Sequence, residues 1–214
     1  MSELVSPYVD TELYSRVRLS PLQLNNDLYI HLKNNLKKKV EKKCCKNGYI
    51  TKIYKILKYS NGIIIPENFD AAATLNVKYS CRLCRPVENT MIICKIDVMN
   101  KVLIKASNGP IFVIIKLNQI NDKNFIINNK GELTYNKNNH ILNENDYLKV
   151  KILATTFYAN DERIITLANL EDIATDKEVQ EFYKEKLDGE KIENIDVEAF
   201  NSSDNESNSD FSKQ

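Results

Sequence analysis

The sequence has little of what common enzyme classes use at their active sites. It contains no tryptophan, two histidines and only five scattered glycines, so no glycine-rich loop is available to hold a phosphate. His31 and His140 lie far apart and form no recognisable Ser-His-Asp arrangement. Asp70, Asp97 and Asp146 stand alone, without the paired carboxylates of a two-metal nuclease. These absences argue against a catalytic function.

Membrane spans and metal sites are not indicated either. No apolar run is long enough to cross a bilayer, and the polar, acidic start of the chain is unlike a secretory signal. The five cysteines include a C-x-x-C pair, Cys81 and Cys84. A zinc ribbon needs a second such pair, and in a strand these two side chains point to opposite faces. We therefore expect a soluble intracellular protein with reduced thiols, no metal and no cofactor.

Charge is unevenly distributed along the chain. The formal net charge is +1, yet acidic residues outnumber basic ones from Glu171 onward, which leaves a basic body. This distribution suits a nucleic-acid-binding protein with an acidic tail, although an ordinary soluble surface explains it equally well. Beyond Asp188 the chain is rich in serine, asparagine and acids, which predicts disorder. Its serines between residues 202 and 209 resemble acidic phosphoacceptor sites.

The first part of the chain predicts a small α+β fold. Residues 1–12 are expected to form a flexible arm, followed by a strand over 13–19. An apolar stripe at every fourth residue predicts a helix that begins after an N-cap at 25–27 and stops at Asn47-Gly48. The lysines of this helix either contact phosphates or form a solvated face. Weak alternation over 49–59 predicts another strand. The helical stripe consists of Leu28, Leu32, Leu36 and Val40.

Residues 75–86 connect the two halves of the chain. Apolar and polar residues alternate here with a period of two, which predicts a half-buried strand. Pro86 cannot donate to a ladder, so the strand should end there. A new β-rich stretch begins at Met91. The predicted buried face consists of Leu75, Val77, Tyr79, Cys81 and Leu83.

The second half predicts an OB-type barrel, which is a common reader of oligonucleotides. Its five strands are expected over 91–98, 101–106, 111–117, 147–157 and 163–167, with a turn at 108–110 and a polar connection over 119–146. Phe112 is expected in the core. A helix is expected over 176–187. The candidate RNA-binding residues, each of which also suits a solvated surface, are Lys101, Lys105, Lys149, Lys151, Tyr158 and Arg163.

Several short segments in a fixed order resemble a known family. They are Gly48-Tyr49-Ile50, residues 62–66, residues 75–79 and Pro86. The pattern resembles the stalk subunit of multisubunit RNA polymerases, which is the seventh subunit of eukaryotic RNA polymerase II and has a counterpart in the archaeal enzyme. The resemblance covers about Leu19 to Asp172. It implies a truncated RNP-like tip domain over 13–86, an OB barrel over 87–173, and a short helix with an acidic disordered tail over 174–214.

The resemblance also implies a function. A stalk subunit does not catalyse nucleotide addition; it pairs with a fourth-subunit-type partner, docks on the polymerase core through its tip, aids initiation and guides nascent RNA. Its place would be the site of transcription, in the nucleus, or in the host cytoplasm and virion if the source is a large DNA virus, as the A+T-like composition suggests. The residues expected to contact the core or partner are Gly62, Ile64, Pro66, Asn68, Val77, Tyr79 and Pro86.

Two other functions stay open at this stage. The chain could be a free-standing OB protein that binds RNA or acts in translation, in which case it would not travel with a polymerase. It could also be a nuclease built on an OB barrel, in which case its metal-dependent activity would depend on Asp97 and Asp146.

Overall fold

Most of the described chain is β-structure. The computed structural model describes residues 4–65, 69–100, 102–127, 133–137 and 139–184. The chain divides into two units, Met1–Ala174 and Thr175–Gln214. Among the helices in these described ranges, none is both long and apolar enough to span a membrane.

The first unit begins with an antiparallel sheet that is covered on one face by a helix. Its strands are β1 (Tyr8–Leu19), β2 (Lys43–Cys45), β3 (Gly48–Tyr59), β4 (Ile63–Ile64) and β5 (Ala73–Cys84). The strand order is β1-β5-β3-β2, and the short β4 pairs with β5. The helix, α1 (Leu28–Val40), places Leu32 and Leu36 in the core between itself and the sheet.

Strand β1 starts earlier than the sequence predicts. It pairs with β5 over its full length, from Tyr8 opposite Cys84 to Leu19 opposite Ala73. Upstream of it, the Val5 N–H donates to the Met91 carbonyl oxygen at 2.9 Å. The expected flexible arm over residues 1–12 is therefore wrong for the described residues 4–12. The physical reason is that β5 offers a long edge of N–H and C=O groups, which pairing with the arm satisfies.

Helix α1 is confirmed, but its predicted end is wrong. It stops at Val40, where Glu41 already has an extended backbone. Lys42 then adopts a positive φ of 59°, so the reversal is made by a lysine and not by Asn47-Gly48. Gly48 instead opens β3, with φ 141°. An ideal Cβ on Gly48 would lie 2.6 Å from the Cys84 carbonyl oxygen, so a close approach of two strands requires this glycine.

The alternation predicted for 75–83 is confirmed in β5. Its odd-numbered side chains are buried against α1, and its even-numbered ones lie on the other face of the sheet. Strand β3 behaves differently, because its pairing with β5 shifts register three times along its length. Each shift inserts an extra residue, which explains why its sequence alternates only weakly.

The second part of the first unit is a closed five-stranded barrel. Its strands are β6 (Met91–Met99), β7 (Leu103–Asn108), β8 (Ile111–Lys116), β12 (Tyr147–Thr156) and β13 (Ile164–Ile173). They follow one another in the order β12-β13-β8-β7-β6, and β12 closes the barrel by pairing with β6. All neighbours are antiparallel except β8 and β13, which are parallel. This arrangement is consistent with the predicted OB-type barrel.

The long polar connection carries a small sheet of its own. Strands β9 (Phe125–Ile127), β10 (Leu133–Tyr135) and β11 (His140–Ile141) form it, with β10 in the centre. The sequence of the polar connection predicts short pairing segments over 124–127 and 132–135, which correspond to β9 and β10, and does not predict β11. The Phe125 and Tyr135 rings lie 5.3 Å apart, and the Tyr135 hydroxyl donates to Asp172 on β13. These contacts attach the small sheet to the barrel.

The second unit is described only at its start. Residues 176–184 are helical, as the sequence predicts for the first part of 176–187. The rest of that predicted helix, the acidic tail and its serines lie outside the described residues.

The described thiols differ strongly in exposure. All five cysteines are free; Cys44, Cys81, Cys84 and Cys94 are buried and Cys45 is half-buried. Burial is the main reason that the pKa of Cys81 is raised to about 12 and that of Cys44 to about 11. At pH 8 only about one Cys81 side chain in ten thousand is then a thiolate, the form that reacts with alkylating agents.

We expect iodoacetamide at pH 8 to modify Cys45 first in the folded protein. Cys44, Cys81, Cys84 and Cys94 should react less than a tenth as fast, because they are buried, and should become equivalent to Cys45 in urea. Peptide mass spectrometry over a time course measures this. Fast labelling of Cys81 in buffer would contradict the prediction and would indicate that the core between α1 and the sheet opens readily.

Candidate nucleic-acid interface

The outer face of β7 and β8 carries a basic and an aromatic side chain. Ile104 and Ala106 on β7, and Ile111, Val113 and Ile115 on β8, are buried inside the barrel. The residues between them therefore point outward. These outward residues include Lys105 and Ser107 on β7, and Phe112 and Ile114 on β8.

Phe112 is thus a correction to the sequence prediction. Its place between two apolar residues predicts a core position, but those neighbours, Ile111 and Val113, occupy the inward positions. Phe112 is half-buried on the outside, opposite Ser107 on β7 and Ile165 on β13. The period of two, applied strictly, would have placed it there. An aromatic ring on the outside of a barrel is suited to stacking on a base.

The loop between β12 and β13, residues 157–163, carries two further candidates, Tyr158 and Arg163. Tyr158 is 72% exposed. The Asp161 carboxylate accepts a hydrogen bond from the Tyr158 N–H at 2.7 Å, and the Asp161 N–H donates to the Tyr158 carbonyl oxygen at 3.2 Å. Asn160 has φ 73°, a conformation that asparagine tolerates better than most residues. The loop is therefore an ordered turn.

The same loop is bonded to the edge strand of the first sheet. The Cys44 N–H donates to the Asp161 carbonyl oxygen at 2.8 Å, and the Asn160 N–H donates to the Cys44 carbonyl oxygen at 2.9 Å. The Cys44 thiol also lies 3.7 Å from the Arg163 carbonyl oxygen. The edge strand β2 therefore fixes the loop through backbone hydrogen bonds. The sequence does not predict this anchor, because it joins residues that are more than a hundred positions apart in the chain.

A cleft of about 290 Å³ lies beside Phe112 and Arg163. The Ser107 hydroxyl donates to the Asp97 carboxylate at 2.8 Å on one side of it, and the Arg163 side chain lines another. A guanidinium beside an aromatic ring can bind a phosphate and a base of one nucleotide. The lining residues are Asp97, Ser107, Gly109, Pro110, Ile111, Phe112 and Arg163.

Asn108 fixes the hairpin at the mouth of this cleft. It is buried, and its Nδ2 donates to the Ile93 carbonyl oxygen at 2.7 Å. The Tyr8 hydroxyl lies 3.3 Å from its Oδ1 and can donate to it. Tyr8 belongs to β1, so this contact also joins the first sheet to the barrel. The sequence identifies Asn108 only as a turn residue.

The structure places the predicted RNA-binding residues on several parts of the barrel. Arg163 lines the cleft, Lys105 lies on the outer face of β7, and Tyr158 lies on the 157–163 loop. Lys149 and Lys151 are on β12 between β6 and β13, and they do not line the cleft. Lys101 lies outside the described residues.

The predicted tip residues also fall into two groups. Ile64, together with its neighbours Ile63, Ile65 and Phe69, is exposed; we call these four residues the tip patch. Gly62 precedes the patch, whereas Pro66 and Asn68 lie outside the described residues. Buried in the structure are Val77, Tyr79 and Pro86.

Burial limits what Val77, Tyr79 and Pro86 can do in a partner contact. Val77 and Tyr79 are part of the core between the sheet and α1. Their side chains are therefore not available for direct contact with another subunit, and a partner there would touch their exposed neighbours instead.

Comparison with known proteins identifies the family. No family model matches the chain. It is, however, 36% identical over 182 residues to "Putative DNA-directed RNA polymerase subunit L376" of Acanthamoeba polyphaga mimivirus, and the match covers 85% of this chain and 91% of that protein. The chain belongs to a family of DNA-directed RNA polymerase subunits of large DNA viruses. Because the match is so long, it necessarily spans most of both the sheet and the barrel of this polymerase subunit.

The carboxylates of Asp97 and Asp146, on which a nuclease activity would depend, make hydrogen bonds to other residues of this polymerase subunit. Asp97 accepts a hydrogen bond from Ser107, and the Asp146 carboxylate accepts one from the Asn143 N–H at 2.9 Å and contacts His140. Within the described ranges, no group of three His, Cys, Asp or Glu residues is placed to hold a metal ion.

Proposed function

We propose that this polymerase subunit is a non-catalytic, stalk-type subunit that binds nascent RNA through its barrel and docks on the polymerase core through its tip. The observation that carries the proposal is the closed barrel of OB-like strand order, which has a cleft lined by Phe112 and Arg163, with the exposed Tyr158 on the 157–163 loop. The order of its strands and the family of the chain support the stalk assignment.

The barrel surface suits weak binding of single-stranded RNA. Lys105 and Arg163 would contact phosphates, and Phe112 and Tyr158 would stack on bases. Such binding depends on charge and ring stacking and has little base preference, so its affinity should fall steeply with salt. A subunit that guides many different transcripts needs this kind of tolerance.

The tip patch suits docking on a protein. Its four apolar side chains are exposed, and Ile63 and Ile64 pair with the end of β5; exposed apolar residues of this kind often mark interaction sites. In the proposed division of labour, residues 13–86 dock on the polymerase core and residues 87–173 bind RNA. A fourth-subunit-type partner would pair with exposed residues of both parts near 77–86. The complex would act in initiation at the site of transcription, in the host cytoplasm and virion of a large DNA virus.

Docking is tested by placing charge on the tip patch. We expect the double variant Ile64→Asp/Phe69→Asp to recover at least about tenfold less of the two largest polymerase subunits than the wild type, because a docked apolar surface does not accommodate two carboxylates. The measurement is affinity purification of the tagged chain from infected or native cells at moderate salt, with quantitative mass spectrometry.

The matched control is Ile165→Asp, which places a charge on an isoleucine of similar exposure on the barrel. It should leave polymerase recovery unchanged. Equal loss in both variants would contradict docking through the tip. If the wild-type chain sediments alone or with ribosomal proteins and recovers no polymerase, the chain is a free-standing RNA-binding protein and the proposal is wrong.

A further inference from the structure

The barrel cleft contains an acidic side chain that the binding of phosphates does not explain. Its lining includes the exposed carboxylate of Asp97 as well as Phe112 and Arg163. A negative charge beside RNA phosphates weakens any binding that depends on neutralising them. The phosphate and ring contacts proposed above need no acid, so the carboxylate in this cleft must have a different role.

Asp97 occupies the extra position of a β-bulge in β6. On β7, Lys105 and Ala106 are consecutive, yet the residues opposite them on β6 are Val98 and Ile96. Asp97 therefore has no residue opposite it. Bulges change the direction of the side chain that they insert and are common beside binding and active sites. The direction of the Asp97 side chain is thus set by a local irregularity of the strand.

Ser107 orients the Asp97 carboxylate. The Ser107 hydroxyl donates to Asp97 Oδ1 at 2.8 Å. Ser107 also lies directly opposite Phe112 on β8, so the carboxylate and the ring are close neighbours on the outer surface. A carboxylate is an acceptor only, and its two oxygens offer about four acceptor positions. The bond to Ser107 takes one of them, and the part of the chain that the structure describes provides no other donor to this carboxylate.

The cleft has room for one base. Its volume of about 290 Å³ is close to the lower end of the range for ligand pockets, which is about 300–1,000 Å³. Phe112 is half-buried and offers one ring face. Arg163 is exposed, so its guanidinium can contact a phosphate of the same nucleotide. The cleft therefore suits a single nucleotide, with the Asp97 carboxylate available to the edge of its base.

The four RNA bases differ in what they present to a group that only accepts hydrogen bonds. Guanine carries two neighbouring donors on its Watson–Crick edge, the N1–H and the 2-amino group. Adenine and cytosine place one amino group beside a ring nitrogen that is an acceptor, and uracil places one N–H between two carbonyl oxygens. A carboxylate oxygen is repelled by a neighbouring acceptor, because neither atom carries a hydrogen. Guanine therefore matches Asp97 best, through two charge-assisted hydrogen bonds.

We propose that the cleft is a guanine-preferring subsite for single-stranded RNA. Asp97 accepts hydrogen bonds from the N1–H and the 2-amino group, Phe112 stacks on the base, and Arg163 contacts a phosphate. The inference rests on the proposed binding of RNA by the barrel and adds to it the choice of base at one position. The remaining contacts do not distinguish bases, so the subunit accepts transcripts of any sequence and binds those with an accessible guanine more tightly.

The test uses RNA probes that differ at one base. Each probe is a fluorescein-labelled 12-nucleotide oligouridine whose central position carries guanosine, inosine, adenosine or uridine. The readout is anisotropy with the full-length chain at 100 mM salt. Inosine lacks the 2-amino group of guanosine and is otherwise the same, so the two bases stack nearly alike and differ in one donor. The ratio of their affinities therefore reports the hydrogen bonds to the base edge.

We expect guanosine to raise the affinity about tenfold over uridine, as a bidentate contact to a base edge does. It should exceed inosine about fivefold, because inosine forms only one of the two hydrogen bonds. Asp97→Asn keeps an acceptor for Ser107 but replaces one carboxylate oxygen with an NH₂ group, so the guanosine-to-inosine ratio should fall below about two. Ser107→Ala should lower this ratio only in part, since the carboxylate remains but loses its fixed orientation.

The matched control is Glu162→Gln. It removes the same charge from an exposed acid of the 157–163 loop that does not line the cleft. The control should keep the guanosine-to-inosine ratio of the wild type, because no contact to the base edge is lost.

The possible failures of this proposal are distinguishable from one another. Equal affinities of the wild type for all four probes would overturn the guanine subsite and leave RNA binding by the barrel intact. A preference that persists in Asp97→Asn would overturn the role of Asp97, and its loss in Glu162→Gln as well would mean that it follows from total charge. If no probe binds, the proposed RNA binding is itself wrong, and the subsite with it.

Discussion

Replacing Gly48 with alanine is expected to lower the free energy of unfolding by about 4 kcal/mol. Two effects combine at this position. The backbone has φ 141°, which a residue with a side chain rarely adopts, and the new Cβ would lie 2.6 Å from the Cys84 carbonyl oxygen. That oxygen belongs to the backbone of β5, so relief requires the central strand of the sheet to move.

The expected shift in the melting temperature is about 12 °C, at roughly 3 °C per kcal/mol for a protein of this size. Thermal unfolding followed by circular dichroism measures it. The matched control is Gly62→Ala, where the nearest atom to a new Cβ is the Ala73 Cβ at 3.0 Å and the neighbouring β4 is short and exposed. This change should cost less than about 1 kcal/mol. Similar melting temperatures for the two variants would contradict the close approach of β3 and β5.

Removing both rings from the barrel surface is expected to weaken RNA binding about 100-fold. Base stacking on an aromatic side chain contributes about 1–3 kcal/mol, and 1.4 kcal/mol corresponds to tenfold. In Phe112→Leu/Tyr158→Leu, both positions keep an apolar side chain, so the fold should lose little stability. No charge is removed. The salt dependence of binding to oligouridine should therefore keep its wild-type slope while the affinity falls at every salt concentration.

The control for this variant is Phe69→Leu, which removes a fully exposed ring from the tip patch. It should leave RNA affinity unchanged. The barrel variant should in turn recover the polymerase core as the wild type does, whereas the charged tip variant should bind oligouridine normally. If loss of RNA affinity and loss of polymerase recovery always occur together, the proposed separation of the two surfaces is wrong.

Where the pattern is regular, the sequence is enough to predict the structure. The apolar stripe of α1 and the alternation of β5 each follow one period, and both elements are present as expected, although α1 ends at Val40, before its predicted stop. The five barrel strands also lie at their expected places, although β13 extends to Ile173 and so is longer than predicted. These elements each bury one face, so their sequence records which side chains point inward.

The errors arise where a distant part of the chain decides the local structure. Residues 8–12 contain three polar residues in a row, Asp10 to Glu12, and the sequence predicts no strand there, but β5 provides an edge for them. The sequence predicts that Gly48 ends a helix. In the structure its positive φ and lack of a side chain allow β3 to lie close to the Cys84 carbonyl group of β5. The three lysines of β3 share a face only because bulges change the register. None of these partners can be identified from the neighbouring residues.

The candidate RNA site is predictable only in part for the same reason. Lys105, Tyr158 and Arg163 can be named from the expected strands and loops, because OB barrels bind oligonucleotides on a known face. Phe112 is assigned by the sequence to the wrong side of its strand. The anchor between Cys44 and the 157–163 loop cannot be foreseen, since it consists of backbone hydrogen bonds that any residue type can make.

The two backbone hydrogen bonds between β2 and the 157–163 loop have a consequence for affinity. A loop that is free in solution loses conformational entropy when a ligand orders it, and this loss weakens binding. Here the loss occurs during folding, when Cys44 fixes Asn160 and Asp161, so the proposed RNA contact Tyr158 lies on a preorganised turn. A disturbance of β2 would return that freedom to the loop, and RNA affinity would fall although every contacting side chain remained in place.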